Sequence, residues 1–205
     1  MNKGPILLAA GVPWRHLETY VPDPIAVRHA VQALVAVTVT DRLLIAGIHP
    51  DITPMVVHDA QCLDAFDNVR LYGSSFFKGA FPPPTGTPVP VVWTEEVPGD
   101  RDLSLKVLYE EMIRSQPFVA AFFMGGMEGV EEEWAIFRRE CPAAAAFPIA
   151  STEGAARLLW RTWPPPELSY LPYTIKYRLS NDIDYHQLFR DLLGYLDDDG
   201  GIGRG

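Results

Sequence analysis

Apolar residues along this chain come in short blocks that run into glycine or proline. Residues 6–10 form such a block, closed by Gly11 with Pro13 beyond. Residues 42–46 run into Gly47, 69–72 into Gly73 and 118–124 into Gly125. Short apolar runs bounded by turn formers read as buried strands. Residues 89–93 make a further strand, placed on a sheet edge because Pro90 cannot donate to a ladder, and residues 145–150 make another. The loop 78–90, with Pro82, Pro83, Pro84 and Pro88, separates the third and fourth strands.

Between the strands the period lengthens to that of a helix. Asp23 caps and Pro24 opens a helix with Ile25, Val27, Ala30, Val31, Leu34 and Val35 on one face. Residues 50–54 open a second helix through Val57, Ala60 and Leu63. Leu105, Leu108 and Met112 mark a third over 103–113, and residues 130–139 a fourth. Ser151 and Thr152 are expected to cap a fifth through Ala155, Leu158 and Leu159. Pro164, Pro165 and Pro166 break the chain, and a last amphipathic helix spans 184–196. Strands alternating with helices imply an α/β fold, a doubly wound, mainly parallel sheet with helices on both faces. Residues 1–196 form one domain. Residues 197–205, with Asp197, Asp198, Asp199 and the glycines after them, are expected to be a disordered acidic tail.

Composition narrows the partners. With 205 residues and 48% hydrophobic content, the chain can bury a substantial core. A net charge of −9 and the lack of a basic patch argue against nucleic acid. Cys62 and Cys141 lie in no metal-binding spacing and are too few for a disulfide framework, so neither a metal nor a cofactor is expected. The run 5–10 is too short for a signal segment, and no stretch approaches a membrane span. A soluble, cytoplasmic protein is expected.

The candidate chemistry sits where strands end. In open parallel sheets ligands bind at the carboxyl ends of the strands, near the topological switch. The turn Gly125, Gly126, Met127, Glu128, Gly129 leads from a buried strand into a helix carrying Glu131, Glu132 and Glu133. Glycines there let a ligand approach the backbone, and the helix start offers N–H groups to anions. Its carboxylates suit the hydroxyls of a ribose. The competing reading is a helix start that favours Glu through its dipole. Gly11 with Arg15, and Gly47 with His49 and Thr53, belong to turns predicted on the same edge. Arg15 can neutralise a phosphate, His49 can face a ligand or pack within its turn, and Thr53 can bind phosphate or cap. GxSxG, the GxxxxGK[ST] loop and a GxGxxG opening the first helix are absent, which removes acyl transfer, ATP hydrolysis of the P-loop kind and the usual NAD mode.

The stretches 7–15, 47–54 and 123–133 resemble the motifs of the SLOG superfamily. That group has a Rossmann-like fold and includes the lonely-guy phosphoribohydrolases and the TRPM-channel N-terminal domains. Within it the chain looks like the prokaryotic branch found in conflict and antiphage systems. The resemblance implies sensing of a nucleotide-derived signal, alongside an effector such as a TIR-domain protein. Apolar helices in such folds often pair, so a homo-oligomer is expected. The lonely-guy turn reads PGGxGTxxE; here Met124 replaces the proline, one residue is inserted before Gly129, and Val130 replaces the threonine. Glu133, with Glu132 beside it, matches the motif's carboxylate. The catalytic arginine those enzymes carry four residues before a methionine is Leu108 here, with Arg101 and Arg114 as nearby cations. In the SLOG branch the second strand often ends Gly-Gly-His-Pro, whereas Ile48 stands at the second glycine.

Three functions are compatible with these residues. The first is a nucleotide-binding module using Gly11, Arg15, Gly47, His49, Thr53, Gly125, Gly126, Met127, Glu128, Gly129, Glu132 and Glu133. The second is a nucleoside 5'-monophosphate N-glycosidase with Glu133 or Glu132 as its acid–base. The third is an interaction module with a vestigial pocket.

Overall fold

The computed structural model describes residues 3–12, 19–21, 23–82 and 88–198. Its six strands are β1 (Lys3–Gly11), β2 (Arg42–Gly47), β3 (Val69–Ser74), β4 (Val91–Thr94), β5 (Ala120–Gly125) and β6 (Ala145–Ile149). They pair in the order β4-β3-β2-β1-β5-β6, and each of these pairings is parallel. β5 is buried along its whole length, as a central parallel strand covered on both faces must be. β4 is short and lies on the edge, where Pro90 predicts it.

The helices are α1 (Pro24–Thr38), α2 (Thr53–Cys62), α3 (Arg101–Arg114), α4 (Glu128–Glu140), α5 (Gly154–Thr162), α6 (Tyr173–Asn181) and α7 (Tyr185–Asp198). In α1, Asp23 Oδ1 accepts from the Ala26 amide at 2.9 Å. Val27, Ala30, Val31, Leu34 and Val35 form the buried stripe, while Ile25, expected on it, is exposed. Alternation along the strands sends side chains to two cores. Ile6, Leu8, Leu44 and Phe122 meet α1, α2, α6 and α7 on one face; Leu7, Ile45, Ala121 and Phe123 meet α3, α4 and α5 on the other. The result is a doubly wound α/β fold. The strand order reverses between β1 and β5, which makes that junction the topological switch.

Three local expectations are corrected. Residues 173–181 after the proline triplet form α6, anchored by Ile175 and Leu179. Thr152 does not cap α5: its Oγ1 accepts from the Gly125 amide at 2.8 Å and donates to the Ile149 carbonyl at 2.6 Å. The last helix continues through Asp198, two residues into the expected tail, because Asp197 pairs with buried Arg42 and, at 2.9 Å, with Lys3. Residues 199–205 lie outside the described residues. No helix among the described residues is long and apolar enough to cross a membrane.

Candidate functional site

Gly11, Gly47 and Gly125 all end parallel strands and therefore stand at one edge of the sheet. Gly11 lies in register with Gly125, and the Gly126 amide donates to the Gly11 carbonyl at 2.7 Å. This contact joins the two strands that flank the switch. Gly125 (φ +53°) and Gly126 (φ +75°) both occupy left-handed backbone conformations, which side chains disfavour. Crowding adds to the requirement. A Cβ on Gly125 would stand 2.4 Å from Val27 Cγ2 and 2.7 Å from the Gly11 carbonyl, and one on Gly126 would stand 2.2 Å from Val130 Cγ2. The cradle is held from behind by Thr152 and by the Ala155 amide, which donates to the Gly126 carbonyl at 3.0 Å.

The cradle opens onto a cavity of about 1020 Å³, at the upper end of small-molecule sites. Gly11, Gly47, His49, Gly126, Met127, Glu128, Gly129, Glu132 and Glu133 line it. The structure thus brings together most of the residues singled out by sequence. Gly125 sits directly behind it, and Arg15 lies outside the described residues. Thr53 is buried and faces a smaller cavity of about 310 Å³ with Pro54, Ala80 and Phe81. Its Oγ1 accepts from the His49 amide at 2.9 Å, so it reaches the main cavity only by holding the His49 turn.

His49 is fixed by that turn. The Asp51 amide donates to its Nδ1 at 3.2 Å, so the neutral ring carries its proton on Nε2. Nε2 lies 3.8 Å from where a Cβ on Gly11 would stand, beside the cradle. Burial lowers the pKa of this ring, against the pull of Asp51, which favours a neutral donor over a cation. Ile48, at the position of the second glycine, sends its Cδ1 to within 2.8 Å of a Cβ on Gly73. It leans toward β3, away from the cradle.

Glu133 forms part of the cavity wall opposite α3. It is 7% exposed, and a Cβ on Gly47 would lie 3.8 Å from its Oε1 and 4.0 Å from Met112 Sδ. Burial, reinforced by the charge of Glu132, pushes its carboxyl up to about 8. A carboxylic acid in this setting keeps its proton at neutral pH and can donate a hydrogen bond. Tyr109 is a neighbour that the sequence did not single out. Burial first, then Glu133 and Glu132, raise its phenol, and its Oη sits 3.1 Å from where a Cβ on Gly129 would project. Arg101, Leu105, Leu108 and Tyr109 form one helical face of α3 along the cavity. Spacing alone would have placed Tyr109 on the same face as Leu105. Arg114 points elsewhere, bonded to Glu140 at 2.9 and 3.0 Å.

No curated protein matches the chain in sequence. The model of the SLOG cluster3 family matches residues 18–193, and the chain belongs to that family.

Proposed function

Starting from membership of the SLOG cluster3 family, we propose that this domain binds a nucleotide or nucleotide-derived signal at the carboxyl edge of its sheet. The observation that carries this reading is the Gly11–Gly126 junction, which opens the switch between β1 and β5 onto the large cavity at the start of α4. Backbone at Gly126 and Gly129 accommodates an anionic group near the helix start. Glu132 accepts from ribose hydroxyls, and His49 donates through Nε2. The resemblance to conflict-system proteins supports a role in prokaryotic defence or signalling, with a TIR-type effector as partner and a homo-oligomeric assembly.

A nucleoside 5'-monophosphate N-glycosidase is the second reading, favoured by one observation: Glu133 is a buried acid protonated near neutral pH, as a general acid requires. Against it stands Leu108, buried where those enzymes place arginine. The cavity's Arg101 is seven residues earlier on α3, about 10 Å along the helix axis. Binding without turnover is therefore the stronger reading.

Two measurements test it. A thermal-shift series over nucleoside mono- and diphosphates, cyclic nucleotides and ADP-ribose should show stabilisation, about 2.7 kcal/mol at one hundred times Kd. Incubation with purine nucleoside monophosphates, followed by chromatography, should yield no free base. Base release that disappears in Glu133→Gln would overturn binding without turnover.

A further inference from the structure

The cavity extends well past the glycine cradle and Glu133. Its wall runs from Gly126 after β5, across the ends of β1, β2 and β3, to Trp93 on edge strand β4. Four inter-strand steps at about 4.8 Å make this about 19 Å, longer than a single base–ribose–phosphate unit. The two ends also differ in chemistry. Glutamates and glycine backbone form the β5 end; Phe77, Phe81, Trp93 and Arg101 form the β4 end.

The aromatic end is constructed rather than incidental. Gly73 needs no unusual φ, yet a Cβ there would fall 2.7 Å from Trp93 Cζ3. That glycine lets the indole lie against the last residues of β3, at the same sheet edge as the cradle. Phe77 packs on Phe76 and Phe81 with centroids 5.0 and 5.9 Å apart. Both Trp93 and Phe77 remain partly exposed, and Phe81 is exposed. Cations already reach the ring faces: Lys78 Nζ is 5.1 Å from the Trp93 centroid, and Arg101 Cζ 5.9 Å from that of Phe77. Both cations are on exposed side chains, where such a contact is worth only about 0.5–1 kcal/mol, so each ring face can be yielded to a stacked ring. The ion pair of Arg101 is an exposed one with adjacent Asp102, which restrains it weakly.

We propose that Trp93, Phe77 and Phe81 form a second subsite that takes a planar heteroaromatic ring, so that the ligand spans from this ring site to the glycine cradle. The ligand class is then a nucleoside joined to two or more phosphates, or to a second phosphorylated unit, with Arg101 beside the ring end. This rests on the nucleotide reading for the identity of the anionic end only.

The test uses the full chain and four probes: adenosine, AMP, ADP-ribose and ribose 5-phosphate, titrated by calorimetry against wild type, Trp93→Ala and Trp93→Phe. Stacking one base on an aromatic side chain is worth about 5- to 150-fold in affinity. Trp93→Ala should weaken adenosine and ADP-ribose within that range, Trp93→Phe should restore most of it, and ribose 5-phosphate should be unaffected. ADP-ribose should bind more tightly than AMP, because only the longer probe reaches both ends. Equal affinity of wild type and Trp93→Ala for the ring-bearing probes overturns the subsite, as does failure of wild type to bind any of them at millimolar concentration. If adenosine binds through Trp93 but phosphate adds no affinity, the ring site stands and the anionic cradle falls.

Discussion

The hydroxyl of Thr152 holds the amide of Gly125, an unusual task for a residue that sits where a helix cap would be expected. It accepts that N–H at 2.8 Å while donating to the Ile149 carbonyl, and it is fully buried. The tether fastens the end of β5 to the end of β6 directly behind the glycine cradle. Replacing it with the isosteric Thr152→Val leaves a buried N–H without an acceptor, at a cost of about 1–3 kcal/mol. Urea denaturation should show that loss, and nucleotide affinity should fall with it. An unchanged midpoint would mean that the amide finds another partner.

Gly125→Ala and Gly47→Ala should behave in opposite ways. Alanine at Gly125 must adopt φ +53° and meets Val27 and the Gly11 carbonyl. The left-handed conformation alone costs about 1–2 kcal/mol, and the crowding adds to it. At Gly47 the added methyl makes only ordinary contacts with Glu133 and Met112, so Tm should hold while the methyl narrows the cavity over the acid. Calorimetric unfolding and a binding titration on both variants separate the two effects.

Glu133 makes stability depend on pH. Its carboxyl ionises near 4.5 when unfolded and near 8 when folded. Its contribution is fully present below about pH 4.5. It is lost as pH rises to about 8, because the unfolded chain releases a proton that the native state keeps. Every tenfold gain in proton affinity on folding is worth about 1.4 kcal/mol. Glu133→Gln removes this dependence and should unfold at higher temperature than wild type at pH 8–9. Parallel Tm profiles for the two proteins over pH 5–9 would show that Glu133 is ionised in the folded state.

Arg42 fastens α7 to the sheet. It is 2% exposed, donates to the Gly4 carbonyl at 3.2 Å, and pairs with Asp197. Arg42→Met leaves Asp197 partly exposed and still paired with Lys3, so the loss is that of a charge-assisted hydrogen bond, about 1.5–3 kcal/mol. The double variant Arg42→Met/Asp197→Leu should recover much of the loss. Denaturation midpoints of the single and double variants measure this.

Much of the architecture was legible because apolar runs close on glycine: β1, β2 and β5 end there, and β3 ends one residue beyond. Gly11, Gly47, Gly73 and Gly125 punctuate the chain, and the stripe in α1 repeats cleanly. α6 was missed because only Ile175 and Leu179 are buried, while Tyr173 and Tyr177 face outward. Two contacts one turn apart do not establish a period. In the site, the glycine turn and Glu133 could be read from spacing. Spacing puts Tyr109 on the Leu105 face of α3, but its place beside Gly129 comes from α3 packing on α4, a long-range fact. Thr152 illustrates the same limit: sequence marks a hydroxyl near a helix start, but only the fold decides which amide it serves. The aromatic end was hidden because Phe77 and Phe81, in the β3–β4 connection, meet Trp93 only once β4 has docked on β3.

The bond from the Gly126 amide to the Gly11 carbonyl has a consequence for folding order. The two residues come from opposite halves of the chain and meet only when β1 and β5, the interior strands that flank the switch, have docked. No local fragment can contain the cradle, so it cannot form early or open alone without parting the middle of the sheet. Occupancy of this place should therefore slow hydrogen exchange across the central strands as a block, and a ligand would protect residues far from any it touches.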